Sequence, residues 1–405
     1  MVGKATLFVV AGFSLIFLIV EYNMGSVSTR AVSNFVDYYV ENYAHELAVT
    51  GANLAANQIF LDNTWKAGYK NLNYKGGKIN VEVQVLDAFT NTRKIISIGE
   101  YQSVKQTVEV TLIPSKFSKY AYYSASEGSN IYWISSDTVW GPFHTQDYLR
   151  VAGNPVFFGK TSTLQGLVKL NKTDNPKFIG GFESGLNVSI PLNVTNSIET
   201  EADKGGFKIT KKDTVYLTFV SDSIKIKYSW KGPVTTKLAS ALAPNGVIFI
   251  KDPLAVRLQG TVKGQYTVAV SGPLNKGNVF IDDDIKYSSD PLTNPNSKDV
   301  LGIVSKNNVI ITNNAANNSD VTIQASIFCE KGSFTAENYS KRPVSGSINL
   351  LGGIIQNIRG PVGTFKGSTI LSGFSKRYRY DERLLVTYPP AFPGTGGFEI
   401  VSWYE

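Results

Sequence analysis

The chain has 405 residues, of which 42% are hydrophobic and 18% are charged, and its formal net charge is +8. This length allows several domains or one elongated domain. The basic residues are scattered, as in Lys208, Lys211 and Lys212, and no aromatic residues alternate with them along a basic stripe. The composition therefore does not indicate a nucleic-acid partner. The single cysteine, Cys329, excludes a disulfide within the chain.

Residues 5–20 carry no charge, and Glu21 follows them directly. Helical spacing then continues, with Val32, Val36, Val40, Tyr43, Leu47 and Leu54 on one face. The pattern predicts one helix over residues 1–62, apolar on all sides at first and amphipathic afterwards. The residues expected to contact lipid or neighbouring helices are Ala5, Leu7, Phe8, Val10, Phe13, Leu15, Ile16, Phe17, Leu18, Ile19, Val20 and Glu21.

Three structures fit this apolar segment. A membrane-spanning helix needs roughly 20 apolar residues, and extension to Tyr22 and Met24 brings the segment close to that length. A cleaved secretory signal peptide and a buried helix of a soluble protein are the alternatives. Because residues 21–26 lack the small-residue cleavage pattern, we favour a retained helix in the membrane or in a filament core.

Residues 63–115 contain three strand-like runs, at 79–85, 93–98 and 104–112, and two of them alternate apolar and polar residues. Alternation is typical of strands with one buried face. Their spacing predicts hairpins. We therefore expect a small antiparallel sheet packed on the amphipathic part of the helix.

Residues 116–372 show many short apolar runs separated by Gly, Asn, Asp and Pro, which predicts a mainly-β body. Near-continuous apolar runs such as 247–250 fit strands buried on both faces. They favour a parallel β-helix, with a β-sandwich as the alternative. Residues 153–230 alternate less regularly and are predicted to include an insertion, and residues 373–405 a C-terminal cap. The predicted fold class is α+β.

Residues suited to catalysis or metal binding are few. His45 lies in the helix, and His144 is expected to be structural. Asp282, Asp283 and Asp284 are the densest acidic cluster and a weak candidate cation site or carboxylate pair for glycosidic chemistry. Strand or turn carboxylates are the simpler interpretation. Cys329 falls on the apolar side of an alternating strand and is expected in the core. We predict no catalytic residue, metal or cofactor.

Residues 3–11 and the Ala-rich residues 42–55 resemble the PilX-like proteins of type IV pilus assembly. The later segments 117–122, 141–147, 299–304, 332–339, 360–363, 378–384, 389–393 and 402–403 resemble a bacterial family of uncharacterised domains found behind such helices. These resemblances cover most of the chain. They imply an envelope or pilus-associated protein of structural or assembly type, with no established enzymatic residues. One departure is that cleavage after Gly3 would place Phe8 where pilins have glutamate.

We therefore expect a non-enzymatic component of a bacterial pilus-like or envelope surface structure. Its helix would anchor it in the membrane or in a filament, and its β-rich head would lie outside the cytoplasm. The expected partners are the membrane, further copies or other pilin-like subunits, and a surface glycan. A surface carbohydrate-active β-helix enzyme and an adhesin are the alternative functions.

Overall fold

The computed structural model describes residues 2–87, 91–135, 137–366, 369–385 and 387–405. Two compact units are present, the first formed by Met1–Pro114 with Gly396–Glu405 and the second by Ser115–Thr395. The second unit is thus inserted into the sequence of the first. The predicted cap, residues 373–405, is divided accordingly, because its last strand belongs to the sheet of the first unit and the preceding strand to the second.

The elements are numbered in chain order. The helices are α1 Val2–Leu61, α2 Val194–Asp203 and α3 Ala239–Leu242, and 3-10 turns lie at Phe117–Lys119, Ala316–Asn318 and Glu382–Leu385. The early strands are β1 Tyr69–Tyr74, β2 Gly77–Asp87, β3 Thr92–Tyr101, β4 Val104–Lys116, β5 Tyr122–Ser126, β6 Trp133–Ile134, β7 Thr138–Trp140, β8 Phe143–Thr145, β9 Tyr148–Ala152, β10 Val156–Phe157, β11 Thr161–Thr163, β12 Gly166–Lys169, β13 Lys177–Phe178 and β14 Phe182–Ser184.

The later strands follow α2. They are β15 Phe207–Ile209, β16 Thr214–Ser221, β17 Ser223–Lys227, β18 Thr235–Leu238, β19 Val247–Ile250, β20 Ala255–Val262, β21 Gln265–Val270, β22 Asn278–Tyr287, β23 Val300–Ser305, β24 Val309–Ile311, β25 Val321–Cys329, β26 Phe334–Ala336, β27 Val344–Ile358, β28 Gly363–Lys366, β29 Thr369–Arg379 and β30 Gly394–Tyr404.

The first unit combines α1 with a five-stranded sheet in the order β1-β2-β3-β4-β30. Strands β1 to β4 pair antiparallel with their neighbours, which confirms the antiparallel sheet expected from the sequence. Their alternation fills a core with Ile79, Val81, Ile95, Val108 and Val110. The α+β class is confirmed as well.

The face of α1 that packs on this sheet differs from the predicted stripe. The buried residues are Val40, Ala44, Leu47, Ala48, Ala52, Ala55 and Ile59, spaced by three, four or one. Val32, Val36 and Leu54 of the predicted stripe are exposed. Small side chains occupy the buried face because the helix lies close to the sheet. A Cβ on Gly99 of β3 would stand 2.1 Å from the Ala44 carbonyl oxygen.

The second unit is organised by long parallel ladders. One ladder follows the order β15-β19-β21-β23-β25-β27-β5-β8-β11-β14, and a second follows β16-β20-β22-β25-β27-β29-β7-β10-β13. A third parallel ladder follows the order β16-β20-β22-β24-β26. A separate small sheet has the order β6-β9-β12. The side chains between the ladders form one apolar core.

Ladder order differs from chain order. Residues 122–184 stack on the strands that end the body, because β5 pairs with β27 and β7 pairs with β29. We call these two pairings the seam. After β14 the chain passes through α2 before β15 begins the opposite end of the same ladder. The predicted insertion at 153–230 is therefore largely part of the ladders: its strands are only two to eight residues long, too short for a clear period.

Candidate functional site

The N-terminal part of α1 is uncovered. Among the described side chains Val40 is the first buried one, and the helix rises about 57 Å from Val2 to Val40 at 1.5 Å per residue. By length and composition α1 can cross a membrane: its most apolar 18-residue window has a mean hydropathy of 2.2 and is 0% buried. Every predicted contact residue from Ala5 to Glu21 is exposed, for example Phe8 at 76%.

Glu21 ends the apolar stretch. Its side chain is exposed and makes no hydrogen bond or ion pair with the described residues. Lys4 is the charged residue before it, and the 16 residues between the two place them about 26 Å apart along the helix. Charged residues at both ends of an apolar span of that length suit the two faces of a bilayer core about 30 Å thick.

Tyrosines mark the place where α1 meets its sheet. Tyr39 stacks on Tyr43 with ring centroids 5.9 Å apart, and Tyr43 lies 4.5 Å from the ring of Tyr101 on β3. The Tyr43 hydroxyl donates to the Lys75 carbonyl oxygen at 2.8 Å. From here the helix is fixed to a folded support, whereas the preceding segment has none among the described residues.

The acidic cluster lies on β22, where the register with β20 shifts between Ile281 and Ile285. Asp282 accepts two hydrogen bonds from Arg257, at 2.8 and 2.7 Å. Asp284 accepts from the Thr322 amide at 2.7 Å and pairs with Lys286 at 2.6 Å. This register shift is a β-bulge, and it directs Asp282 towards Arg257 and Asp284 towards Lys286. Within the described ranges, no group of three or more His, Cys, Asp or Glu side chains is arranged to hold a metal ion.

His144 is buried on β8. Its Nδ1 lies 2.9 Å from Ser162 Oγ and its Nε2 lies 3.2 Å from Gln146 Oε1. The Gln146 oxygen accepts from Nε2–H, so Nδ1 is the acceptor of the neutral ring. Burial lowers the pKa of His144. Asp147, three residues further along the chain, accepts hydrogen bonds from the Glu127 and Tyr148 amides.

Cys329 lies in the core, as the alternation predicted. Burial raises the pKa of its thiol to about 12, so the thiol is protonated at neutral pH and is a poor nucleophile. The alternating run on β25 therefore identified a packing residue.

A buried cluster of charged side chains was not visible from the sequence. Glu127 accepts from Tyr122 Oη at 2.8 Å and Trp133 Nε1 at 3.0 Å, and it pairs with Arg359. Lys376 pairs with Asp137 beside it, and their side chains are only 10% and 3% exposed. The two carboxylates lie within residues 127–137 and the two cations lie at positions 359 and 376, so only the ladder pairing brings the opposite charges together.

No protein-family model matches the chain, and no curated protein matches it. Among solved structures, the competence-associated pilin ComZ from Thermus thermophilus aligns with a TM-score of 0.41 and 12% sequence identity. The alignment covers 90% of this chain and 96% of that chain. The geometry itself defines the class: an α+β chain whose long helix packs on a sheet from Val40 onward and is exposed and apolar over residues 5–20.

Proposed function

We propose that the chain is a structural or assembly component of a bacterial pilus-like or envelope surface structure. One observation carries the proposal: an apolar helix segment, uncovered by the described residues, runs without interruption into a helix fixed to a folded sheet. Burial of apolar surface is worth about 25 cal/mol per Å². A segment of sixteen mainly apolar residues therefore favours lipid or the helices of other subunits over water.

This arrangement supports both placements of the helix. In the bilayer, residues 5–20 contact acyl chains while Lys4 and Glu21 lie near the interfaces. In a filament, the same residues contact the helices of further copies or of PilX-like and other pilin-like subunits. In both placements we propose that the β-rich body lies outside the cytoplasm.

We further propose that the body is a parallel β-helix without enzymatic activity. The parallel pairing of neighbouring strands in the ladders supports the β-helix over a β-sandwich, whose sheets are mainly antiparallel. The ion pairs of Asp282 and Asp284 support a structural role for the acidic cluster, since both carboxylates already have cationic partners.

The test is fractionation of cells that produce the full chain into membrane, sheared filaments and soluble material. We expect the wild type in the membrane or filament fraction, and Val10→Asp lost from both. Val32→Asp is the matched control, because Val10 and Val32 are 60% and 62% exposed on the same helix but only Val10 lies in the apolar segment. We expect Glu21→Leu to strengthen membrane retention. A wild-type chain wholly in the soluble fraction, with residues 1–20 intact by mass spectrometry, contradicts the proposal.

A further inference from the structure

A groove with a volume of about 820 Å³ runs across the second ladder of the body. We call it the aromatic groove and define it by side chains of four neighbouring strands, β25, β27, β29 and β7, and by the residue that follows the fifth, β10. They are Gln324, Asn349, Arg377, Arg379, Trp140 and Phe158. The ladder explains their alignment: Gln324 pairs with Leu351, Leu351 with Arg379, and Arg379 with Trp140. Five strands at 4.7–4.9 Å spacing span about 19 Å.

Two aromatic rings occupy one end of the aromatic groove. Trp140 and Phe158 lie nearly parallel, at 6°, with centroids 5.9 Å apart. They are 41% and 45% exposed, although their neighbours Val139 and Phe157 are fully buried in the core. The strands therefore fix the two rings firmly, and their apolar faces remain available to a flat ligand.

Gln324 accepts a hydrogen bond from a backbone amide of the body, but the other polar side chains that define the groove are not used by the fold. Within the part of the chain that the structure describes, Arg377, Arg379 and Asn349 make no hydrogen bond or ion pair. Elsewhere in the body, Arg359 and Arg383 are bound to Glu127 and Asp381. Glu382, which also lines the groove, is without a partner among the described residues. Fixed rings beside free hydrogen-bonding groups are typical of a ligand site.

We propose that the aromatic groove binds a linear acidic oligosaccharide, a chain of pyranose rings that carry carboxylates. The C–H face of a pyranose stacks on an aromatic ring, and its hydroxyls donate to carboxylate and amide oxygens such as those of Glu382 and Asn349. Arg377 and Arg379 supply planar guanidinium groups, which bind carboxylates through two parallel hydrogen bonds. The site is independent of α1, so the proposal does not rest on the anchoring role of the helix.

A single nucleic-acid strand also stacks on aromatic rings and pairs with arginine. The groove favours the saccharide because Asp290 and Glu382 line it as well, and their carboxylates accept hydrogen bonds from sugar hydroxyls, which are far fewer in a nucleic-acid strand. A single-stranded oligonucleotide is therefore the competing probe in the test.

The experiment titrates the full chain in detergent with a tetramer of galacturonate, with the neutral galactose tetramer and with a dT oligonucleotide, by calorimetry at fixed salt. We expect the galacturonate tetramer to bind more tightly than the other two. Trp140→Ala and Arg379→Gln should each weaken it by about tenfold to a hundredfold, the range for a lost contact to a charged group. Arg379→Gln should also remove the preference over the neutral tetramer.

Two matched controls lie outside the groove. Trp230→Ala removes a 70% exposed indole that lines a different cavity, in which Arg257 is already paired with Asp282. Arg30→Gln removes an exposed guanidinium of α1 and reports non-specific charge attraction. Both variants should bind like the wild type. Quenching of wild-type tryptophan fluorescence by the galacturonate tetramer provides a readout that needs no variant.

Several results overturn the proposal. The first is that the galacturonate tetramer at millimolar concentration neither binds nor changes the fluorescence. The second is that the oligonucleotide binds more tightly than the galacturonate tetramer. The third is that Trp230→Ala and Trp140→Ala lose the same affinity for the galacturonate tetramer. Equal affinity for the charged and neutral tetramers, unchanged in Arg379→Gln, overturns the acidic character of the ligand. None of these results bears on fractionation of the cells, so failure here is distinguishable from failure of the anchoring proposal.

Discussion

Arg359 Nη1 lies 2.7 Å from Glu127 Oε2, and this buried ion pair joins residues 232 positions apart. The Arg359 guanidinium also lies 4.2 Å from the centroid of the Trp133 ring. Both contacts cross the seam, where β5 stacks on β27. The pair therefore connects an early strand of the body in sequence, β5, with a late one, β27.

Removal of one partner should destabilise the body strongly. Arg359→Met leaves Glu127 as a buried charge without its cation, and we expect a loss of about 3–5 kcal/mol in the free energy of unfolding. The double variant with Glu127→Gln should recover part of that loss. Urea unfolding of the full chain measures both.

The matched control is Lys160→Met, which breaks the pair with Glu183 in the same body. Those side chains are 66% and 47% exposed, and exposed pairs contribute little. Equal effects of Lys160→Met and Arg359→Met would show that the seam does not depend on the buried pair.

Gly99 allows α1 to approach β3. A Cβ there would stand 2.1 Å from Ala44 O and 2.5 Å from Ala48 N, which are backbone atoms that cannot turn aside. We expect Gly99→Ala to destabilise the first unit by at least about 1–3 kcal/mol, as overpacking does. Hydrogen exchange of the amides around Ala44 and Ala48 should accelerate.

Gly25→Ala provides the opposite control for Gly99→Ala. Nothing lies within 4 Å of a Cβ at Gly25, so alanine there should only favour the helix, by about 1 kcal/mol. Slower exchange around Ala44 in Gly99→Ala, or faster exchange in Gly25→Ala, would refute the close-packing explanation.

His144 should make stability depend on pH. Burial lowers its pKa in the folded chain, whereas the unfolded chain keeps the ordinary value near 6.5. The unfolded chain therefore binds a proton first as the pH falls below 6.5, and stability declines from there toward the lower folded pKa. His144→Gln should lose about 1–2 kcal/mol at pH 8 and reduce this decline.

The measurement is a series of urea unfolding curves between pH 8 and pH 5 on the wild type and His144→Gln. His45 is present in both chains, so the difference between the two curves reports His144 alone. Parallel pH profiles would rule out the buried neutral imidazole. Stoichiometric zinc in the wild type that is lost in the variant would overturn the structural role.

The C-terminal segment should be essential for solubility. Truncation after Leu371 removes Phe374, Tyr378, Tyr380 and Leu384, which are 0%, 3%, 5% and 2% exposed, and also β30. It leaves β27 and β4 with open edges, which favour aggregation. We expect insoluble protein in a sedimentation assay. Removal of only Tyr404 and Glu405, both exposed, should leave the chain soluble. A soluble monomeric truncation that melts like the wild type would disprove the prediction.

The local pattern of apolar and polar residues was sufficient to predict several features of this protein. The spacing of apolar residues predicted α1 and strands β2 to β4, because helix and strand periods are set by the backbone geometry of neighbouring residues. Alternation on β25 placed Cys329 inside. The uncharged residues 5–20 identified the exposed apolar segment, since the absence of charge is visible without any fold.

Tertiary structure decided the rest. The buried face of α1 shifted to Ala44, Ala48, Ala52 and Ala55 because a sheet with Gly99 at its closest point accepts small side chains. The ladder order, the separation of β30 from β29, and the pairing of Glu127 with Arg359 depend on strands far apart in sequence. Periodicity records which side of a strand is buried but not which strand lies beside it, so only the folded chain assembles the seam and the aromatic groove.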